Sequence, residues 1–270
     1  RGPFVRVVHL QPMAWRSDGW PAIGTGVATG AETGEPVLVH PKPGAGEALA
    51  SGPLGPAVSD EFASPQHGRQ WQWQAHPRAD WFSLTANPGW LRLAAVARPA
   101  VSPVEPPAVS PVERPAAANR YDAPNLLLQK FPAPAFTATT ALDFSGAGEG
   151  DEAGLMIFGT SYAWIGLRRT PAGVRLLQVV NLDAQEGGPE REAASIGEPG
   201  MKVVVRVAVA RDGKCRFACS LDGKTFSALG EEFQATAGKW VGAKVGLFAA
   251  AAAGGPGSGF ADFDYFRLTS

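Results

Sequence analysis

Cysteine is scarce in this chain of 270 residues, with two in all, and neither a charge excess nor a long apolar run stands out. Each shortage excludes something. Cys215 and Cys219 lie in the run Lys-Cys-Arg-Phe-Ala-Cys-Ser-Leu. On a strand they share a face but stand about 13 Å apart, at about 3.3 Å per residue. A disulfide needs Cα atoms within about 7 Å, so no internal bridge is expected and both read as buried apolar residues. Lys plus Arg number 24 and Asp plus Glu 25, for a formal net charge of -1. No global field draws nucleic acid or an anionic membrane, no basic block stands out, and neither partner is expected. No run reaches the roughly 18 apolar residues that a transmembrane helix requires. The cysteines leave the compartment undetermined; a secreted or periplasmic location is expected ahead of a cytoplasmic one.

Turn formers, by contrast, are plentiful: Gly 33 and Pro 24. Short apolar runs bounded by Gly, Pro, Asn and Asp recur along the chain, which is the pattern of an all-β protein. Residues 1–43 offer three strand candidates, at 4–10, 20–23 and 35–40. Three or four antiparallel strands with Gly-rich turns make one propeller blade, and a lone blade cannot bury both faces. Residues 44–57 are a Gly/Pro/Ala linker.

A second unit is expected over 58–270, with strand candidates at 71–74, 81–85, 90–93, 125–131, 136–144, 153–158, 163–169, 174–180, 202–211, 214–221, 241–248 and 260–268. Asp212-Gly213 and Asp222-Gly223 are hairpin turn signals. Together they imply two packed antiparallel sheets. One stretch breaks the pattern. The octapeptide at 100–107 is repeated almost unchanged at 108–115, within a proline-rich segment at 99–118. It cannot ladder into a sheet and favours polyproline II, so it reads as an insertion in a surface loop.

Several motifs follow one another in a recognisable order. They are Arg-Val-Val-His-Leu-Gln-Pro-Met at 6–13, Asp-Gly-Trp-Pro-Ala-Ile-Gly at 18–24, Asp-Glu-Phe at 60–62 with Trp-Gln-Trp at 71–73, Trp-Phe-Ser-Leu-Thr at 81–85, Gly-Trp-Leu-Arg-Leu at 89–93, Asn-Leu-Leu-Leu-Gln-Lys-Phe at 125–131, Gly-Lys-Trp-Val-Gly-Ala-Lys-Val-Gly-Leu-Phe at 238–248 and Ala-Asp-Phe-Asp-Tyr-Phe at 261–266. In this order the chain resembles the C-terminal part of glycoside hydrolase family 43 enzymes of the β-xylosidase and α-arabinofuranosidase type. The resemblance implies the last blade of a five-bladed β-propeller over 1–43, then a concanavalin A-like or jelly-roll β-sandwich. It also implies a hydrolase of xylose- or arabinose-containing plant oligosaccharide or polysaccharide, cut with inversion by a Glu acid and an Asp base. Such a pair stands about 6.5–9.5 Å apart to admit a water. Both are expected in earlier blades, upstream of Arg1, so none of the catalytic carboxylates is expected in this chain and the chain alone is expected to be inactive. Asp18, Glu32 and Glu35 read as solvated turn carboxylates. A stand-alone carbohydrate-binding module and an inactive structural remnant are the alternatives, and a free-standing module has no use for residues 1–43.

The resemblance assigns roles residue by residue. Arg6 stands where the family places an Arg that reaches the non-reducing sugar, a planar fork of donors suited to hydroxyls. His9 matches a His facing the central channel near a cation; calcium prefers oxygen, so His9 reads as a single or indirect ligand. Trp240 stands where relatives carry an aromatic that reaches back over the propeller pocket, and otherwise reads as a core Trp opening a strand. Asp60, Glu61, Asp262 and Asp264 bring acids from both ends of the sandwich, where lectin-like modules hold a structural calcium; Asp60 and Asp262 are its candidate ligands. No other cofactor is implied. Trp71, Trp73, Trp81 and Trp90 read as core, with a sugar-binding platform as the second reading.

Overall fold

A computed structural model describes residues 3, 10–25, 34–41, 58–97, 119–121, 123–251 and 259–269. The chain forms two compact units, Arg6–Gly55 and a larger one of Pro56–Ser270 with Arg1–Val5. The expected strand at 4–10, the linker at 44–57 and the insertion at 99–118 lie outside the described residues, apart from Leu10.

In the smaller unit β1 (Met13–Trp15) pairs antiparallel with β2 (Pro21–Ile23). Asp18 and Gly19 make the turn. The Asp18 carboxylate accepts from Trp20 N at 3.1 Å and meets Arg16 at 2.9 Å. Gly19 takes φ +85, a left-handed conformation that glycine adopts without strain. The expected strand at 35–40 is not formed. Glu35 makes one bridge to Thr25, Pro36 has no N–H to give, and the Gln11 amide holds both backbone groups of Val37 instead. β1 went unpredicted because three exposed residues carry no alternation.

The larger unit is the expected sandwich. One sheet has seven strands in the order β11-β10-β9-β8-β16-β6-β3. These are Arg191–Gly197, Gly173–Asn181, Tyr162–Thr170, Glu152–Phe158, Lys244–Ala250, Leu127–Lys130 and Gln72–Trp73. The other sheet has eight, in the order β14-β13-β12-β7-β17-β5-β4, with β15 (Phe233–Gln234) also on β13. These seven are Ser227–Ala228, Lys214–Ser220, Lys202–Val209, Phe136–Asp143, Phe260–Thr269, Leu91–Ala94 and Phe82–Ser83. All ladders are antiparallel. Asp212-Gly213 and Asp222-Gly223 both turn: Gly213 and Gly223 take positive φ, and the Asp222 carboxylate accepts from Lys224 N and Thr225 N.

Alternation decides which face each side chain meets. On β7, Phe136, Ala138, Thr140 and Leu142 are buried while Thr137, Thr139, Ala141 and Asp143 are half-buried, so this sheet has one wet face. Leu155, Ile157, Ile165, Leu167, Val205, Val207, Phe217, Phe263 and Phe266 meet between the sheets as the main core. The central strands of the seven-stranded sheet are covered on both faces. Met156, Phe158, Tyr162, Trp164, Leu177, Val179 and Phe248 build a second, smaller core on its outer face, closed by Ala123, Leu126 and Ala184. At Gly154 and Gly166 the strands β8 and β9 approach too closely for any side chain: a Cβ there would lie 2.2 Å from the Ile165 carbonyl and 2.0 Å from the Ala153 carbonyl.

Candidate functional site

Arg6 and His9 lie outside the described residues. Trp240 sits on the loop between β15 and β16 and is 67% exposed, so it is not a core residue. The base of its loop is held on two sides. Thr160 N donates to the Ala237 carbonyl at 3.0 Å and Ser161 N to Thr236 Oγ1 at 2.9 Å, while Phe131 N donates to the Ala243 carbonyl at 3.3 Å. An indole held out on an anchored loop offers a face for stacking.

The row running away from this loop, across the outer face of the seven-stranded sheet, follows from the register. Lys130 faces Lys244, Lys244 faces Phe158, Phe158 faces Tyr162, and Tyr162 faces Asn181. Tyr121 stacks on Phe158 with ring centres 5.7 Å apart. Burial, and then the charge of Lys130, lower the pKa of the Lys244 ammonium.

Farther along the same face a fully buried Arg120 pairs with Glu152 and with Glu190. Its guanidinium lies 4.5 Å from the Trp164 ring and 4.7 Å from the Phe248 ring, a cation between two aromatic faces. Tyr162 donates to Glu190 at 2.8 Å and accepts from Arg120 N at 2.7 Å; Arg168 reaches Glu152 at 2.5 Å. The Arg120, Glu152 and Glu190 side chains are shut away from solvent, Arg168 is partly exposed, and the cluster ties the chain around Arg120 to β8 and β9. The sequence pattern does not disclose this cluster. Its one signal is Glu152 heading an otherwise apolar run, which leaves a charge that must find a partner inside.

The acids expected to hold calcium have other work. Asp60 accepts from Phe62 N at 2.9 Å with one oxygen and from Trp71 Nε1 at 2.8 Å with the other. Asp262 takes the Arg92 fork at 2.8 Å on both oxygens and Asn87 Nδ2 at 3.0 Å. Glu61 is bidentate to Arg267. Among the described residues no group of three or more His, Cys, Asp or Glu side chains is placed to hold a metal ion. In this structure the carboxylates of Asp60 and Asp262 both accept from protein donors.

Among the tryptophans, Trp71 is buried in the main core against Phe62 and Phe266. Trp81 is buried beside Trp73, which also packs on Phe82. Their grouping is core at the edge shared by β3 and β4. Cys215 and Cys219 are buried and unbridged, and burial pushes the Cys215 thiol up to about 12.

The model of the β-xylosidase C-terminal concanavalin A-like domain matches residues 59–269. Over 243 residues the chain is 30% identical to a β-xylosidase of Formosa agariphila, an alignment that takes 88% of this chain and 39% of that protein. A bifunctional GH43-CE protein of Bacteroides eggerthii superposes with TM-score 0.63 at 25% identity, over 78% of this chain and 27% of its own. A xylan β-1,4-xylosidase of Bacillus halodurans, at 19% identity and TM-score 0.67 over 96% of this chain and 46% of its own, shares the fold. The chain thus spans about two fifths of the length of the curated relatives it matches, 39% in each case. The sandwich topology, the motif order and the family match over 59–269 agree, and the chain belongs to the family of β-xylosidase C-terminal concanavalin A-like domains of glycoside hydrolase family 43.

Proposed function

We propose that this chain is the C-terminal part of a family 43 hydrolase that cleaves O-glycosidic bonds in xylose- or arabinose-containing plant carbohydrate. The hydrolytic carboxylates belong to earlier blades of a propeller of which residues 1–43 supply the last. The sandwich buttresses it, and Trp240 covers a short sugar at the pocket. Arg6 reaches the non-reducing sugar, and His9 stands near the channel. The exposure of Trp240 carries the reading, because an indole held out of the core on an anchored loop offers a face for stacking on a sugar. The smaller unit supports it: Trp15, Trp20, Ile23 and Leu38 are all exposed there, an apolar surface suited to neighbouring blades.

Two measurements test this. Residues 1–270 are expected to release no nitrophenol from aryl β-xyloside or aryl α-arabinofuranoside; turnover abolished by one substitution within the chain would overturn the assignment. In a protein carrying the whole propeller, Trp240→Ala is expected to lower kcat/KM on short xylosides about tenfold, the size of one lost ring contact of roughly 1–1.5 kcal/mol. The melting temperature should not move. A fall in stability with no kinetic effect would make Trp240 a packing residue.

A further inference from the structure

Lys130 on β6 and Lys244 on β16 stand directly opposite one another in the ladder. Both ammonium groups therefore leave the outer face of the seven-stranded sheet on the same side, a like-charge register that weakens a sheet. Other strand lysines here sit beside a carboxylate: Lys202 meets Asp143 at 3.0 Å and Lys214 meets Glu232 at 3.6 Å. Lys130 and Lys244 have no such relief. The next position across from Lys244 is Phe158, followed by Tyr162 and Asn181. Among the described residues neither lysine forms an ion pair or a side-chain hydrogen bond. Lys130 is exposed and Lys244 half-buried, so the pair opens to solvent at one end. Burial and the Lys130 charge together make the Lys244 ammonium uncomfortable, which an anion between the two would relieve.

The surroundings of the pair are aromatic. Phe158 flanks Lys244, Tyr121 stacks on Phe158, and the exposed Trp240 lies on the loop that leads directly into Lys244. We propose that the Lys130–Lys244 pair seats the carboxylate of an acidic sugar, a uronic acid residue carried by a xylose-containing chain. A carboxylate has one oxygen for each ammonium, and such charge-assisted hydrogen bonds exceed neutral ones in strength. Neutral xylose and arabinose offer no charge to this pair. The inference rests on the reading of this protein as one that acts on plant carbohydrate, and it narrows that reading to acid-bearing chains.

Calorimetric titration of residues 1–270 tests it. The probes are a xylo-oligosaccharide bearing glucuronic acid and the same oligosaccharide with its carboxylate reduced to the alcohol. The acidic form is expected to bind about tenfold more tightly, equivalent to about 1.4 kcal/mol, with the advantage shrinking as salt rises. Lys130→Gln and Lys244→Gln should each remove most of that advantage and leave the affinity for the reduced form unchanged. Both variants relieve a repulsion, and an unchanged or raised melting temperature confirms that they fold. Equal binding of the two oligosaccharides overturns the proposal, as does an advantage that survives in the double variant. Acetate competing as well as free glucuronate, mole for mole, overturns the sugar assignment and leaves an unselective anion site. Binding of neither oligosaccharide, the result if the lysines instead meet a protein carboxylate, overturns it too. That last outcome leaves the hydrolase reading to the nitrophenol assay, which does not depend on these lysines.

Discussion

Asp60 sits where the sandwich begins, and both of its oxygens accept from groups shut away from water. One receives the Phe62 N–H at a residue held at φ +51, and the other receives the indole N–H of buried Trp71. A non-glycine residue in the left-handed region persists only where its surroundings hold it, and here the carboxylate does. Asp60→Ala orphans two buried donors and is expected to cost roughly 2–4 kcal/mol in urea unfolding. Asp60→Asn keeps one acceptor and should cost less. EDTA should leave the melting temperature where it is; a calcium-dependent rise would return these carboxylates to metal ligation. The role of Asp60 could not be seen in the sequence, although the residue stood out there as an acid. Its partner Trp71 is brought back by a turn, and Asp262 finds Arg92 only because β17 pairs with β5. An acidic residue announces a need for partners, and only the fold supplies their identity.

At the level of strands and their coverings, alternation carried most of the information. β7 and β12 each bury every second residue, and both were legible from that period alone. β11 was not: Arg-Glu-Ala-Ala-Ser-Ile-Gly is a mostly exposed edge strand with one large apolar side chain, which leaves no face to read. The second core posed a different difficulty. A continuous apolar run such as β8 shows burial on both faces but not what covers the outer one. That cover is tied down by Arg120, whose removal leaves the buried Glu190 carboxylate with neutral donors only, Tyr162 and Trp164, and weakens the hold on Glu152. Arg120→Ala is expected to destabilise the chain by roughly 3–5 kcal/mol, the usual effect of deleting one partner of a buried pair. Guanidinium denaturation followed by tryptophan fluorescence measures it. A loss under about 1 kcal/mol would mean that Arg168 alone satisfies the remaining charge.

Taken whole, the molecule is uneven in how it treats apolar surface. The larger unit buries its aromatic and aliphatic side chains in two cores, whereas Leu10, Met13, Trp15, Trp20, Ile23, Leu38 and Val39 are exposed in the smaller one. Residues 56–270 alone lose only Arg1–Val5 from the larger unit, including the Pro3 carbonyl that accepts from Ala243 N, and should therefore melt within about 3 °C of the full chain, a shift worth less than about 1 kcal/mol at this size. They should also lose most of the full chain's self-association in sedimentation. Equal self-association would place the sticky surface on the sandwich instead. The order in which the sandwich is completed has a further consequence. Its first bridging residue, Asp60, pairs with Phe266 on the last strand, and β17 lies inside its sheet between β7 and β5. During synthesis the chain from Asp60 to Phe266 emerges over about 10–40 s, at about 5–20 residues per second. From the emergence of β7 until that of β17 the sheet is split, with β7 and β5 presenting open edges where β17 will later sit. The nascent domain must be sheltered until its final segment leaves the ribosome, and a message cut short before residue 260 yields a product for degradation rather than a slightly smaller protein.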